Sequence, residues 1–306
     1  MHDEACATYE DMIENMALGH SFIQDNFKVS PRIGWSIDPF GHSSTNARLF
    51  AEMGFDAVFF ARADYQDKKK RVRQESLEYV WRPSSGSLGT DVEIFTHILW
   101  DHYNRPAGFG FDVLDYEEEG VWHAENAQKL MAVIDERARH YRTDEILVLF
   151  GDDFQYMQAD QNFAQMDNMI EYMNSKHGDK YNFMYSTPSQ YIDAINKYNV
   201  TWPTKYDDGF PYSDKANSYW TGYFTSRPNF KQYVRRASQS FRASSSLFAQ
   251  RVIAHDLRAK ELNDIILANY ALQDPLAIAQ HHDAVSGTSR EGVVADYQTR
   301  LFNGME

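Results

Sequence analysis

The 306-residue sequence predicts an α/β domain followed by a helical domain. Short apolar runs typical of strands alternate with segments of helical periodicity up to residue 197, which favours a parallel sheet covered on both sides, or a barrel. Residues 199–224 are rich in aromatic residues but show no clear period, and from Pro228 to about Asn303 the pattern is helical again. We therefore place a domain boundary near residue 222.

The α/β part contains candidate strands that each end at polar or turn residues. The predicted strands are Arg32–Ile37, Asp56–Ala61, Val92–Leu99, Ile146–Phe150 and the shorter Asn182–Tyr185. The helices predicted between them, from apolar spacing and polar starts, are Ser43–Met53, Ala124–Tyr141 and Asn162–Lys176. In the second domain the breaks in the pattern predict helices at about 228–254, 257–282 and 290–302.

Composition excludes several classes of protein. With 43% hydrophobic residues the chain can bury a full core, and 30 basic against 44 acidic side chains give a net charge of −14. This acidic balance argues against a binder of nucleic-acid phosphates. No apolar run approaches the roughly 18–20 residues of a membrane span, and the first residues do not form a signal peptide. Because Cys6 is the only cysteine, an internal disulfide or thiolate cluster is excluded.

Two charged residues directly follow predicted strands, where parallel α/β folds place their functional groups. Asp38 follows the first strand, and Pro39 restricts its backbone. Asp38 is therefore either a functional carboxylate in a fixed position or a cap for the helix beginning at Ser43. Arg62 follows the second strand. Its guanidinium either lowers the pKa of Asp38, as a nucleophile or metal ligand requires, or forms a structural ion pair.

Further candidate groups follow later elements. Asp152 and Asp153 follow the fourth predicted strand. Their mutual repulsion and partial desolvation should raise the pKa of at least one carboxyl group, which suits a general acid. The alternative is a Gly-Asp-Asp turn with calcium-like or purely local bonding. Together with Asp38 they offer the two carboxylates that sugar hydrolysis needs. Gln280–Asp283 ends a predicted helix. Adjacent helix residues point about 100° apart, so we expect the two histidines not to share one metal. Either one ligates a metal while the other donates to substrate, or the helix end is solvated and has no role.

Two other features remain open on the residues alone. Tyr103 lies just past the third predicted strand and either places a hydroxyl in a site or packs on its loop. Aromatic residues make up 15% of the chain, which suits sugar stacking, although most of them must form core. Asn199-Val200-Thr201 is an N-glycosylation sequon in a loop-like region, and a chance occurrence explains it equally well.

These segments together resemble glycoside hydrolase family 38, the class II α-mannosidases, and most closely its lysosomal-type members. The similarity runs in order through Gly34–Ser43, Phe60–Lys68, Gly151–Phe154, Phe210–Tyr212, Tyr219–Pro228 and Gln280–Thr288. Motifs in this order span nearly the whole chain. The resemblance implies an incomplete, parallel-stranded (β/α)7-barrel-like catalytic domain over residues 1–222, followed by a three-helix bundle over residues 223–306.

The resemblance also implies an activity. The family hydrolyses terminal α-mannosyl residues, here in N-glycan-type mannosides, with retention and with Zn²⁺. Asp38 matches the nucleophile, which is also a zinc ligand, His282 matches a second zinc ligand, and Asp153 matches the general acid/base. Positions that match the sugar pocket are Phe40, Arg62, Tyr103, His281 and Asp283. Retention predicts that the carboxyl groups of Asp38 and Asp153 lie roughly 5–5.5 Å apart.

The sequence departs from the family pattern at both ends. The early His-x-Asp-x-Gly-Trp motif, which supplies two further zinc ligands, is absent, because Met1–Ala5 resembles an internal family segment. The β-rich C-terminal part is absent too. We therefore interpret the sequence as a central fragment whose partners include the missing N- and C-terminal parts. We expect this fragment alone to have weak or no activity, because zinc normally has at least three protein ligands.

A lysosomal or other endomembrane location follows from the resemblance alone. The alternative function is a non-enzymatic, truncated remnant that binds mannose or has a regulatory role. Metal-dependent deacetylation of polysaccharide would also use Asp and His at strand ends. It explains neither the block at residues 220–228 nor the segment at residues 280–288.

Overall fold

The computed structural model describes residues 1–109, 124–254 and 257–306. Its helices are α1 (Tyr9–Phe27), α2 (Ser44–Glu52), α3 (Tyr65–Arg73), α4 (Ala124–Ala138), α5 (Ala159–His177), α6 (Pro188–Ile195), α7 (Pro228–Ala254), α8 (Ala259–Ala279) and α9 (Glu291–Met305). Its strands are β1 (Ile33–Trp35), β2 (Ala57–Phe60), β3 (Glu78–Trp81), β4 (Ile94–Ile98), β5 (Thr204–Lys205), β6 (Ser213–Lys215) and β7 (Ser218–Tyr219). Within these ranges, none of the helices has the length and apolar character needed to cross a membrane.

The main sheet is dominated by parallel pairs, as the alternation of strands and helices predicts. Its strand order is β1-β2-β4-β3-β5, with β1, β2 and β4 parallel and β3 antiparallel to β4. The register places Trp35 of β1 beside Phe59 of β2, which in turn lies beside His97 of β4. The carboxyl ends of these three strands therefore meet at one edge, from which the chain runs into Asp38 and Arg62.

Strands β1, β2 and β4 confirm the first three predicted strands, but the predicted strand Ile146–Phe150 is wrong. Its side chains alternate as in a strand: Leu147 packs on the sheet core and Val148 on the cluster around α4 and α5. The segment is not part of the sheet, and side chains bind two of its carbonyl oxygens, those of Leu147 and Phe150. Arg137 Nη1 donates to the Leu147 oxygen at 3.3 Å.

The predicted strand Asn182–Tyr185 is wrong too, and a side chain again binds its backbone groups. The side-chain amide of Asn174 in α5 accepts from Phe183 N–H and donates to Phe183 O, both at 2.8 Å. One side chain thus satisfies the backbone groups that a strand neighbour would bind, and the segment does not belong to a sheet.

Helices α7, α8 and α9 pack against one another, and α1 packs on α8. Their buried core consists mainly of Phe230, Val234, Ala237, Phe241, Leu272, Leu276, Val294 and Leu301. The same cluster contains Phe40, Tyr212 and Tyr223, so it extends into the loops at the carboxyl edge of the sheet. The predicted helix at 257–282 is shorter than expected and ends at Ala279.

The first four residues, which we call the N-terminal segment, join the two regions. His2 forms an isolated antiparallel bridge with His281, and Asp3 N–H donates to Gln280 O at 2.8 Å. On the other side, His2 Nε2 lies 2.8 Å from the Asn46 side-chain oxygen in α2. Residues 2–4 are buried, so this short segment is packed between the sheet domain and the turn that follows α8.

Candidate active site

Asp38 and Arg62 form a largely buried ion pair. Arg62 Nε donates to Asp38 Oδ1 at 2.7 Å and to the Asp38 backbone oxygen at 2.9 Å, and Nη2 also contacts Oδ1. The side chains of Asp38 and Arg62 are only 19% and 13% exposed. The helix-cap interpretation of Asp38 is wrong, because the side chain of Ser43 caps α2 by accepting from Thr45 N–H at 3.1 Å.

The environment of Asp38 favours its ionised form. Burial raises the pKa of the Asp38 carboxyl, but the hydrogen bond with His282 and the charge of Arg62 together outweigh burial. The net result is a pKa below the ordinary value for aspartate. Asp38 is therefore a carboxylate across the ordinary pH range, as a nucleophile or metal ligand must be.

Three aromatic rings surround the Arg62 guanidinium. Its central carbon lies 5.4 Å from the ring centroid of Phe40, 5.5 Å from that of Tyr212 and 4.8 Å from that of Trp220. Arg62 Nη1 also donates to the Tyr212 hydroxyl at 3.4 Å. Such cation–π contacts stabilise and orient a guanidinium. Phe40, expected in the sugar pocket, is itself buried at 6% exposure, with the Arg62 guanidinium and the Trp220 ring among its contacts.

His282 lies on the other side of Asp38. Its Nε2 is 3.1 Å from Asp38 Oδ2, and its Nδ1 is 3.0 Å from the Met1 carbonyl oxygen. Burial lowers the pKa of His282, but the hydrogen bonds to Asp38 and Met1 raise it by more than burial lowers it. The net result is a pKa above the ordinary value for histidine. With Nδ1–H donating to Met1, the Nε2 atom and the carboxylate face each other across a position that requires a proton or a cation.

The two histidines do not lie on a helix, so the helical 100° separation assumed for them does not apply. Because α8 ends at Ala279, His281 and His282 lie in the following turn, with ring centroids 4.1 Å apart. One potential ligand atom from each of His281, His282 and Asp283 lies within 4.8 Å of the other two. Burial and the charge of His282 lower the pKa of His281.

Asp153 lies at the exposed surface, close to Tyr103. The Tyr103 hydroxyl donates to Asp153 Oδ2 at 3.4 Å. Burial raises the pKa of Tyr103, and the charges of both Asp38 and Asp153 raise it further. Tyr103 thus lies within electrostatic range of both candidate carboxylates and keeps its proton. Asp152, whose Oδ1 accepts from Asp153 N–H at 2.7 Å, forms the local turn that positions Asp153.

Sequence reasoning missed two groups that shape the site. Tyr212 and the carbonyl oxygen of Met1 contact Arg62 and His282, respectively. Tyr212 lies in the Phe210–Tyr212 motif, and this motif could have identified it as a site residue. No side-chain pattern could identify a backbone carbonyl.

Comparison with known proteins finds α-mannosidases along the full length of the chain. An α-mannosidase of Arabidopsis thaliana is 46% identical and the lysosomal alpha-mannosidase of Dictyostelium discoideum is 42% identical, each over 99% of this chain and 30% of its own length. The human lysosomal alpha-mannosidase is 39% identical over 99% of this chain and 31% of its own length. The chain thus spans about 30% of the length of the curated relatives it matches.

A solved structure shares the fold. An alpha-mannosidase from Enterococcus faecalis V583 matches with a TM-score of 0.71 and 17% identity, covering 100% of this chain and 31% of that one. Residues 1–215 match the family model of the glycosyl hydrolases family 38 N-terminal domain, and residues 218–306 match that of the alpha mannosidase middle domain. The chain therefore belongs to glycosyl hydrolase family 38.

Proposed function

We propose that this chain carries the nucleophile of a zinc-dependent, retaining α-mannosidase that acts on terminal α-mannosyl residues of N-glycan-type mannosides. The observation that carries the proposal is the Asp38 carboxylate, held ionised between Arg62 and His282 at the carboxyl edge of a parallel sheet. Membership of family 38 and the names of the relatives support mannoside hydrolysis. Two of these relatives are named as lysosomal enzymes, and we propose a lysosomal or other endomembrane location.

In the proposed reaction Asp38 attacks the anomeric carbon of the mannosyl residue. A bond forms between its carboxylate and that carbon while the glycosidic carbon–oxygen bond breaks, and Asp153 gives a proton to the leaving oxygen. Asp153 then takes a proton from water, which attacks the same carbon and releases Asp38. Tyr103, hydrogen-bonded to Asp153 and close to Asp38, is suited to orient the acid/base carboxylate. Residues His281 and Asp283 are proposed to contact the sugar.

The donor set at Asp38 fits a zinc ion in part. Asp38 Oδ2 and His282 Nε2 are carboxylate and imidazole ligands of the type that zinc prefers, and the Met1 carbonyl fixes the tautomer of His282 from its other nitrogen. When bound, zinc supplies Lewis-acid polarisation of sugar oxygens. Because two protein ligands fall short of three, we assign the others to the family's His-x-Asp motif, which this sequence lacks.

We also propose the finer architecture that the resemblance implies. The sheet domain over residues 1–222 would be part of a (β/α)7 barrel that the missing first strand completes. The region 223–306 would be a three-helix bundle, supported by the mutual packing of α7, α8 and α9. This arrangement supports the proposal because both regions contribute to the site: Asp38 comes from the first and His282 from the second.

The test uses the longer polypeptide that contains this chain, with an aryl α-mannoside as substrate. We expect Asp38→Asn to lower kcat by about 10³-fold or more, as for other removed nucleophiles, while circular dichroism shows an unchanged fold. The matched control is Asp56→Asn, which changes an exposed carboxylate paired with Arg32 and should retain activity.

A second variant separates the two carboxylates. Asp153→Asn should impair mannosides with poor leaving groups far more than activated aryl mannosides, because the latter need little protonation. Full activity of Asp38→Asn would show that the nucleophile assignment is wrong. A folded, zinc-loaded polypeptide that binds mannose without turnover would instead support the non-enzymatic alternative.

A further inference from the structure

The side chain of Lys68 extends from α3 to the two loops that follow β2 and β4. The first turn of α3 is fixed by the Asp64 side chain, which accepts from two backbone N–H groups at 2.9 and 3.1 Å. Lys68 is partly buried, whereas the next two residues, Lys69 and Lys70, are exposed. The reaction proposed above gives Lys68 no role.

The amino group of Lys68 connects the backbones of these two loops. At the carboxyl end of the β2–β4 pair, Leu99 N–H donates to Phe60 O at 2.9 Å. Just beyond this bond, Lys68 Nζ donates to Ala61 O at 3.3 Å and to Asp101 O at 2.5 Å. Lys68 therefore continues the connection between the two chains past the last residue of each strand.

Both carbonyl groups lie beside residues of the candidate site. Ala61 directly precedes Arg62, which holds the proposed nucleophile in place. Asp101 lies two residues before Tyr103, whose hydroxyl donates to the proposed acid/base carboxylate. One ammonium group thus anchors the backbones that present both of these side chains.

The loop after β4 is bonded in turn to the loop that presents Asp153. Arg105 N–H donates to Gly151 O at 2.9 Å, and Gly151 lies two residues before Asp153. Hydrogen bonds through Lys68 and Arg105 therefore connect the loop of Arg62 to that of Asp153. A retaining reaction requires its two carboxyl groups at a separation of roughly 5–5.5 Å, which depends on the spacing of these loops.

The Lys68 cation is bound to carbonyl oxygens, while the carboxylate of Asp101 lies 3.6 Å from another cation, Arg137 Nη2. Burial lowers the pKa of Lys68 to about 8, and the charge of Asp101 offsets this effect only in part. Below that pH the ammonium group has three N–H donors, enough for both carbonyl oxygens. A hydrocarbon side chain of similar length would leave both oxygens without this donor.

We propose that Lys68 is a positioning residue of this site, because it holds the loop after β2 against the loop after β4. Its effect on catalysis rests on the proposed function, whereas its effect on the two loops does not. Without this anchor Arg62 and Tyr103 can shift, and a displacement of about 1 Å can reduce a rate about 10²-fold.

The first test measures kinetics of the longer polypeptide with an aryl α-mannoside. We expect Lys68→Met to lower kcat about 10- to 100-fold and to change KM by less than about threefold, because Arg62 and Tyr103 act on the reacting carboxylates. Lys68→Arg, which keeps a cation and several N–H donors, should lose less. The matched control is Lys70→Met, an exposed lysine on the same helix, which should keep full activity.

Three kinetic results would overturn the proposal. They are equal losses for Lys68→Met and Lys68→Arg, an equal loss for Lys70→Met, and a change in KM alone. Where Lys68→Met does not fold by circular dichroism, Lys68→Gln, which is too short to reach both oxygens, takes its place.

The second test measures the loops without using the activity. Hydrogen–deuterium exchange should be faster in Lys68→Met than in wild type within residues 61–64 and 100–104, and unchanged in Lys70→Met. Unchanged exchange in both loops of Lys68→Met would overturn the proposal whatever the kinetics. Faster exchange in a polypeptide whose wild type hydrolyses no mannoside would count against the proposed function and support the anchoring by Lys68. An active wild type with an unimpaired Lys68→Met would overturn this inference alone.

Discussion

Replacing Arg62 by glutamine removes the cation that holds the Asp38 carboxylate. The guanidinium donates to Asp38 Oδ1 through Nε at 2.7 Å and also contacts it through Nη2, and both side chains are at least four-fifths buried. A hydrogen bond to a charged group contributes about 1.5–3 kcal/mol, and residual solvent screens part of it. With His282 still in place, we expect the free energy of unfolding at pH 7 to fall by about 2–3 kcal/mol.

The loss should depend on pH in a definite direction. The pKa of Asp38 is lowered in the folded state, so its stabilising effect is complete above the ordinary aspartate pKa and disappears as the pH falls through the lowered value. In acid, a neutral Asp38 no longer requires a cation. The difference in stability between wild type and Arg62→Gln should therefore narrow as the pH falls.

Urea unfolding followed by tryptophan fluorescence, at pH 7 and again in acid, measures both effects. The matched control is Arg32→Gln, because Arg32 pairs with two carboxylates but is 48% exposed. Exposed pairs contribute little, so this control should stay near wild type. Equal losses for the two variants at pH 7, or a difference that widens in acid, would refute the reasoning.

Three further predictions concern other parts of the structure. Tyr212→Phe removes the hydroxyl that accepts from Arg62. We expect kcat/KM of the longer polypeptide to fall about fivefold, and the acid limb of its pH profile to move to higher pH. An unchanged pH profile would contradict this. Burial raises the pKa of the Cys6 thiol to about 12, so an aromatic disulfide reagent at pH 8 should label it only after denaturation. Gly287 has a φ of +77° and an added Cβ would lie 2.6 Å from a backbone oxygen, so Gly287→Ala should cost about 2 kcal/mol or more in urea unfolding. Gly292→Ala in α9, where an added Cβ meets nothing within 4 Å, is its control and should not destabilise.

The elements that the sequence predicts well are those whose side chains match their final neighbours. The run Ala57–Phe60 is apolar throughout because β2 is a central strand buried on both faces, and the prediction holds. Ile146–Phe150 has an equally apolar pattern but fails, because pairing depends on a neighbouring backbone that a single segment does not encode. Strand β3, which the sequence did not predict, shows the opposite case, in which a charged residue occupies a buried position. Strand β3 begins with Glu78, whose charge conceals a buried position paired with His97.

The candidate site likewise contains residues that a local sequence pattern predicts and residues whose position depends on distant contacts. A charged residue directly after a buried strand is a local pattern, and it located Asp38 and Arg62 correctly at one edge of the sheet. The position of His282 depends instead on where α8 ends. Helix ends are set by capping and tertiary contacts, and here Asp3 N–H bonds to the oxygen of Gln280 just past the last turn. The periodicity of the sequence extended this helix to residue 282, whereas α8 ends at Ala279. The geometry expected of the two histidines on a helix therefore does not apply.

The bond between Asp38 and His282 joins positions 244 residues apart, whereas Arg62 follows Asp38 by only 24. At about 5–20 residues per second, ribosomal synthesis separates Asp38 from His282 by roughly 10–50 s. During that interval the growing chain already contains Arg62, the cation beside the carboxylate, but not the imidazole of His282. The site is thus completed only when the helical region has been made and has docked. A chain that stalls or misfolds before that point carries the Asp38 carboxylate with Arg62 beside it but without His282.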